Sequence, residues 1–209
     1  MVRLSSTIVS QPKNNRVPVS NFFILVGPSG SGKTSAINGL LHMYPELLSK
    51  PLTYTTRNTR EGEVHGRDMY FIPRAEWVSL LTDQAFIATT EYQGELYGTK
   101  TADILSPLTQ GKKVVAAFDH NGVECCTLSG FHPTTIFLMP TSIEALRKHL
   151  ESRWPQGGPE LEARLAKAPA EISLAPLYDY VVHSISIPQI ISDLSVLMNL
   201  PFEEPRLAA

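Results

Sequence analysis

Apolar positions follow two rhythms along the chain. Apolar runs at 22–26 and 114–118, and the largely apolar stretches 134–139 and 180–185, predict strands. Between them the spacing becomes helical. Ile37, Leu40, Leu41 and Tyr44 mark a helix over 35–44 that Pro45 ends, and Ala75, Trp77, Val78, Leu80 and Leu81 give an apolar face to 73–81. Thr141-Ser142-Ile143-Glu144 is a capping signature for a helix carrying Ile143, Leu146 and Leu150, and 160–167 resumes the spacing with Leu161 and Leu165. A last helix is expected over 188–200. Strands alternating with helices predict an α/β fold with a doubly wound parallel sheet.

Two stretches break the pattern. From 50 to 72 the chain is rich in Thr, Arg and Gly, which predicts short strands and turns. Phe86 and Ile87 then open an extended segment through Tyr92 to a turn at Gly94, and Leu96-Tyr97-Gly98-Thr99 places Tyr97 and Thr99 on one side of the next. The second break, 153–159, joins two helices by Gly and Pro. With inward arginines this pair is a lid able to close over phosphates; otherwise it is a surface helical hairpin.

Composition narrows the picture. The 209 residues suit one compact domain with small inserted subdomains, and a net charge of -2 gives no sign of a general nucleic-acid binder. Cys125 and Cys126 are adjacent and so unsuited to an ordinary disulfide with each other, and the six histidines lack metal-ligand spacing. A reducing compartment, the cytoplasm, is the expectation. No apolar run reaches the roughly 18 to 20 residues of a membrane helix. Residues 1–20 hold Arg3, Lys13 and Arg16 without an acid, and are expected to be a flexible tail, with a transit peptide as the other reading. The chain after Pro201 is expected to fray.

The chemistry starts where the first strand stops. Gly27-Pro28-Ser29-Gly30-Ser31-Gly32-Lys33-Thr34-Ser35 spells a phosphate-binding loop that leads into a helix. Glycines let backbone N–H groups turn toward phosphate oxygens, and the helix N-terminus adds its positive end. Lys33 would reach the β- and γ-phosphates and Thr34 would ligate Mg²⁺. Gly27, Ser29, Gly30, Ser31, Gly32, Lys33, Thr34 and Ser35 are therefore the candidate nucleotide site. Arg57 and Arg60 beside Thr55 and Thr56 form a candidate fork for a second anion. Asp119 ends an apolar strand, where ligands of a parallel sheet gather, or else caps the segment from Asn121.

At this point the chain resembles the guanylate kinases over about residues 21–200. Four blocks carry the resemblance: the loop at 27–34, Thr-Thr-Arg-x-x-Arg-x-Gly-Glu-x-x-Gly-x-Asp at 55–68, Tyr-Gly-Thr at 97–99, and the arginine-bearing lid at 147–164. It implies ATP-dependent phosphoryl transfer to a nucleoside monophosphate (GMP, dGMP or a related nucleotide), with Mg²⁺ accompanying ATP, in a monomer or homodimer without nucleic-acid or membrane partners. It also implies a core at 21–50, 101–140 and 170–205, an acceptor subdomain at 51–100 and a lid at 141–169. Arg57, Arg60 and Tyr97 then resemble ligands of the acceptor phosphate, Thr53, Thr99 and Asp119 the base-contacting set, and Arg153 and Arg164 the lid arginines; Lys33, Arg57, Arg153 and Arg164 are the catalytic candidates.

This chain departs from the family at four positions. Met69 stands at a family tyrosine, with Tyr70 one place later. Ala88 stands at the glutamate that reads guanine, Ala117 at an acid near the metal, and His149 at a third lid arginine. Glu91 or Glu95 are the acids that could substitute from a rearranged loop. Losing a carboxylate that accepts from a base edge removes a source of discrimination, so acceptor choice is where a sugar-phosphate kinase of the ribose-bisphosphate type, or a non-catalytic binding module on the same scaffold, enters as an alternative.

Overall fold

The computed structural model describes residues 8–10, 21–152 and 154–201. With strands numbered along the whole chain, the larger sheet contains β1 (Ile8–Ser10), β2 (Phe22–Val26), β3 (Leu48–Ser49), β8 (Lys113–Ala117), β9 (Thr134–Pro140) and β10 (Tyr180–Ser184). Their order is β1-β10-β9-β2-β8-β3, and every pair is parallel except β1 with β10. The parallel, doubly wound sheet expected from the apolar runs is present.

All five residues of β2 are buried, because side chains leave both faces of the sheet into covered layers. Phe23 and Leu25 pack with Ile37 and Leu40 of α1 (Lys33–Met43) and with Ile190 and Leu194 of α7 (Ile187–Leu197). Phe22, Ile24 and Val26 face Ile104 of α3 (Ala102–Thr109), Cys126 of α4 (His120–Leu128) and Tyr178. Each large side chain buried this way contributes about 1.5–3 kcal/mol.

A second sheet, of order β5-β4-β7-β6, carries the Thr/Arg-rich stretch: β4 (Thr53–Thr55), β5 (Tyr70–Phe71), β6 (Phe86–Tyr92) and β7 (Glu95–Lys100). Its small core is Tyr54, Ile72 and Trp77, the last delivered by α2 (Arg74–Thr82) and stacked on Phe86 at 4.4 Å. Gly98 has to lack a side chain, since a Cβ there would lie 2.8 Å from the Trp77 ring. The apolar face expected on α2 is mostly unburied: Trp77 is 2% exposed, whereas Val78 and Leu81 are 54% and 51% exposed. A small four-strand platform of short strands offers one helix too little surface to cover more than its central aromatic.

The two helices expected to form a lid are α5 (Ile143–Glu151) and α6 (Pro159–Ser173), which share a core of Leu146, Leu150, Leu161, Leu165 and Ala168. The expected cap is made, with Ser142 Oγ accepting from the N–H of Ala145 at 3.0 Å. Some elements are not signalled by the apolar spacing, β3 among them. Helix α3 holds Pro107, which disguises its spacing, and β1 lies inside the stretch expected to be a tail. The remainder of that tail, residues 1–7 and 11–20, lies outside the described residues, as do Arg153 and 202–209.

Candidate active site

The phosphate loop owes its shape to three glycines at positive φ: Gly27 at 139°, Gly30 at 87° and Gly32 at 94°. At Gly27 a Cβ would lie 2.7 Å from the Leu138 carbonyl, so no other residue fits between β2 and β9 there. Gly32 ends the loop as the N-cap of α1, without a side-chain cap and with no acid in the first turn, which leaves the helix N-terminus to an outside anion. Lys33 folds back over the loop, donating from Nζ to the carbonyls of Gly27 at 2.5 Å and Pro28 at 2.9 Å. Thr34 and Ser35 stand exposed at the helix start. Ser31 Oγ is buried and unpaired among the described residues.

This loop opens into a cavity of about 240 Å³ bounded by Lys33, Ala117, Asp119, His120 and Glu171, among others. That cavity shares Ser29, Ala117, Phe118, Asp119 and Glu171 with a larger cleft of about 640 Å³ that runs beneath the second sheet and the lid. The structure therefore brings Thr53, Arg57, Arg60, Tyr97, Thr99, Asp119 and Arg164 to the walls of one cleft adjoining the loop. The sequence separation between them is spanned by two sheets. Asp119 arrives from the C-terminal end of β8, and Thr53 and Thr99 are paired across β4 and β7. The cap is made, since Asp119 Oδ1 accepts from Gly122 N at 2.8 Å at the start of α4, and the same residue lines the cleft.

Arg57 is the most constrained of these groups. Its side chain is only 9% exposed, its guanidinium makes two parallel bonds to Glu63 at 2.6 and 2.7 Å, and the guanidinium carbon lies 5.1 Å from the Phe71 ring centroid. The Glu63 bond, foremost, raises its pKa further against the opposing effect of burial, and the nearby Tyr97 hydroxyl adds a smaller push in the same direction. The same bond pulls the Glu63 carboxyl down to about 2. Glu63 was not singled out from the sequence, although it is the glutamate of the 55–68 block. A carboxylate depressed from 4.5 to about 2 contributes stability that is fully present above pH 4.5 and is lost as pH falls toward 2. In a thermal-melt series the gap between the wild type and Glu63→Gln is therefore expected to narrow as pH falls through that window.

Met69 faces the cleft with Sδ 3.6 Å from Arg57, while Tyr70 turns to the opposite face and stacks on Tyr54 at 4.5 Å. The one-residue offset noted in the sequence thus removes Tyr70 from the site by strand alternation. Ala88 and Ala117 present methyl groups to the same cleft. Glu95 is occupied by Thr56, whose hydroxyl donates to it at 2.7 Å; Glu91 lines the cleft.

From the lid, Arg164 reaches Ser29 Oγ of the loop at 3.0 Å and pairs with Glu160 at 2.8 Å. His149 Nδ1 lies 3.0 Å from the Gly30 carbonyl. Arg147 points away from the cleft and ties α5 to α6 through Glu162 at 2.6 Å. Glu171, unmarked by any motif, sits in the last turn of α6 on the boundary of both cavities, where burial raises its pKa against the pull of Lys33 and Lys167. No helix among the described residues is long and apolar enough to cross a membrane.

Comparison with known proteins agrees with this geometry. Residues 19–200 match the family model described as guanylate kinase. Among curated proteins, a guanylate kinase of Hahella chejuensis is 36% identical over 160 residues, covering 77% of this chain and 76% of that one. One of Lactobacillus delbrueckii subsp. bulgaricus is 31% identical over 176 residues, covering 84% and 86%. Among solved structures, the crystal structure of guanylate kinase from Anaplasma phagocytophilum superposes with a TM-score of 0.68 at 28% identity, covering 87% of this chain and 86% of that one.

Proposed function

The chain belongs to the guanylate kinase family, and from that premise we propose that its cleft transfers the γ-phosphoryl group of ATP to the phosphate of GMP, giving ADP and GDP. The observation that carries the reading is the junction of the two cavities. A phosphate loop with Lys33 lies at one end, the Arg57, Arg60 and Tyr97 cluster at the other, and Arg164 hangs from the lid beside Ser29 of the loop. Phosphoryl transfer requires in-line alignment of attacking and leaving oxygens with positive charge around the moving group, and little covalent help.

The residues divide this work. Arg57, locked by Glu63, presents its guanidinium with Tyr97 and Arg60 to the acceptor phosphate, whose oxygen attacks the γ-phosphorus as the bond to the β,γ-bridging oxygen breaks. Lys33 exchanges its two carbonyl partners for phosphate oxygens, and Arg164 bears on the charge that spreads during transfer. Thr53 and Thr99 supply hydroxyls and Asp119 a carboxylate to the acceptor base. Dry walls at Ala88, Ala117 and Met69 exclude water from that end.

The donor set also fits Mg²⁺. No group of three or more His, Cys, Asp or Glu side chains among the described residues forms an all-protein cage. The oxygens at hand are instead the Thr34 hydroxyl, exposed in the first turn of α1, and the Glu171 carboxylate bordering the loop cavity. That suits an ion which arrives with ATP and keeps its waters. Thr34 would hold it, and it would neutralise developing charge on the phosphates.

The test follows ADP release with ATP, Mg²⁺ and a panel of GMP, dGMP, the other nucleoside monophosphates and a ribose bisphosphate. Turnover of GMP is expected, and turnover confined to the sugar phosphate, or no turnover at all, would reject the proposal. Placing a carboxylate opposite Thr99 sharpens it. Ala88→Glu is expected to lower the KM for GMP by about tenfold or more while IMP, which lacks the 2-amino donor, gains less.

A further inference from the structure

We propose that Tyr92 is a positioning residue that clamps the lid arginine Arg164 over the phosphate loop, so that the acceptor subdomain sets the lid in place. The inference rests on the reading of Arg164 given above. Tyr92 ends β6 and pairs with Glu95 across a two-residue turn, in which Gln93 and Gly94 both have positive φ, 54° and 79°. Such a turn matches the twist of its strands and makes a stiff hairpin tip. The tip projects Tyr92 out of its own subdomain core, to which it does not belong, and into the cleft.

There its ring meets the lid. The guanidinium carbon of Arg164 lies 5.4 Å from the Tyr92 centroid and 5.1 Å from that of Trp154, and Lys167 Nζ lies 5.7 Å from Tyr92. All three are within the range of cation–π attraction. The edge of the same guanidinium is engaged by Glu160 and by Ser29 Oγ at 3.0 Å. Two aromatic rings thus lie against the guanidinium while its N–H groups reach Glu160 and the loop. A long side chain held on several sides loses less freedom when a charged group must be met in one geometry.

The experiment combines Tyr92→Leu and Tyr92→Phe with Arg164→Ala. Tyr92→Leu is expected to lower kcat about three- to tenfold with much smaller changes in KM, and Tyr92→Phe, which keeps the ring, to stay within about twofold of wild type. In the Arg164→Ala background Tyr92→Leu should have no further effect, because its partner is gone. A second readout needs no turnover. Trp77 is 2% exposed, so acrylamide quenching reports chiefly on Trp154, and quenching should rise in Tyr92→Leu but not in Tyr92→Phe. A full Tyr92→Leu loss on top of Arg164→Ala, or Phe behaving as Leu does, overturns the clamp while leaving the lid reading intact. An unchanged kcat in Arg164→Ala overturns the lid reading and the clamp with it.

Discussion

Lys33→Ala is expected to lower kcat for ADP formation by at least about a hundredfold, the cost of deleting one preorganised charge at a transferring phosphoryl group. The size follows from where the ammonium sits. Its bonds to the Gly27 and Pro28 carbonyls hold it across the mouth of the loop, beside the backbone N–H groups at the start of α1. Phosphate oxygens entering the loop replace neutral acceptors with charged ones, and the interaction strengthens as negative charge spreads over the γ-phosphoryl group. Lys33→Arg should not restore the rate, since a planar fork cannot occupy a point-charge site between two carbonyls. Alanine is a good helix former at this position, so the thermal midpoint should hold. The check is steady-state kinetics beside a melt; a kcat within threefold of wild type would remove Lys33 from the mechanism.

That prediction draws on a part of the protein that is legible in the sequence, for a physical reason. A buried strand, a glycine turn and a helix start are local, so Phe22 to Ser35 declares its own conformation, and the runs that form β8, β9 and β10 do likewise. Legibility fails where a contact crosses the fold. Nothing in the spacing shows that Arg147 turns outward to Glu162 while Arg164 turns inward to Ser29, because which side of a helix is covered depends on its neighbour. Tyr92 and Arg164 meet only because a hairpin tip and a lid helix face each other. Glu171 belongs to no motif, and helix α3 is masked by Pro107. The polar stretch 50–72 could be read as strands and turns, but not the bidentate lock that Glu63 places on Arg57.

That lock sets the second large expected effect. Arg57→Ala should raise the KM for GMP by about 10- to 100-fold, since a charge-assisted, two-pronged bond to phosphate is lost, and kcat should fall as well because the acceptor oxygen is no longer held in line. The KM for ATP should change little, as the donor loop lies in the adjoining cavity and does not use Arg57. Arg57→Lys should recover only part of the loss: an ammonium cannot bond both Glu63 oxygens in parallel over the Phe71 ring and still offer a second fixed N–H to phosphate. Glu63→Gln separates orientation from charge. It leaves the cation but weakens what aims it, so it should raise the GMP KM by less than Arg57→Ala and lower kcat less. Stability should suffer less than binding in Arg57→Ala, because Glu63, 24% exposed, can turn its freed carboxylate to water. Equal losses in the KM for ATP and GMP would instead mean that Arg57 supports the whole cleft as a strut rather than gripping one phosphate.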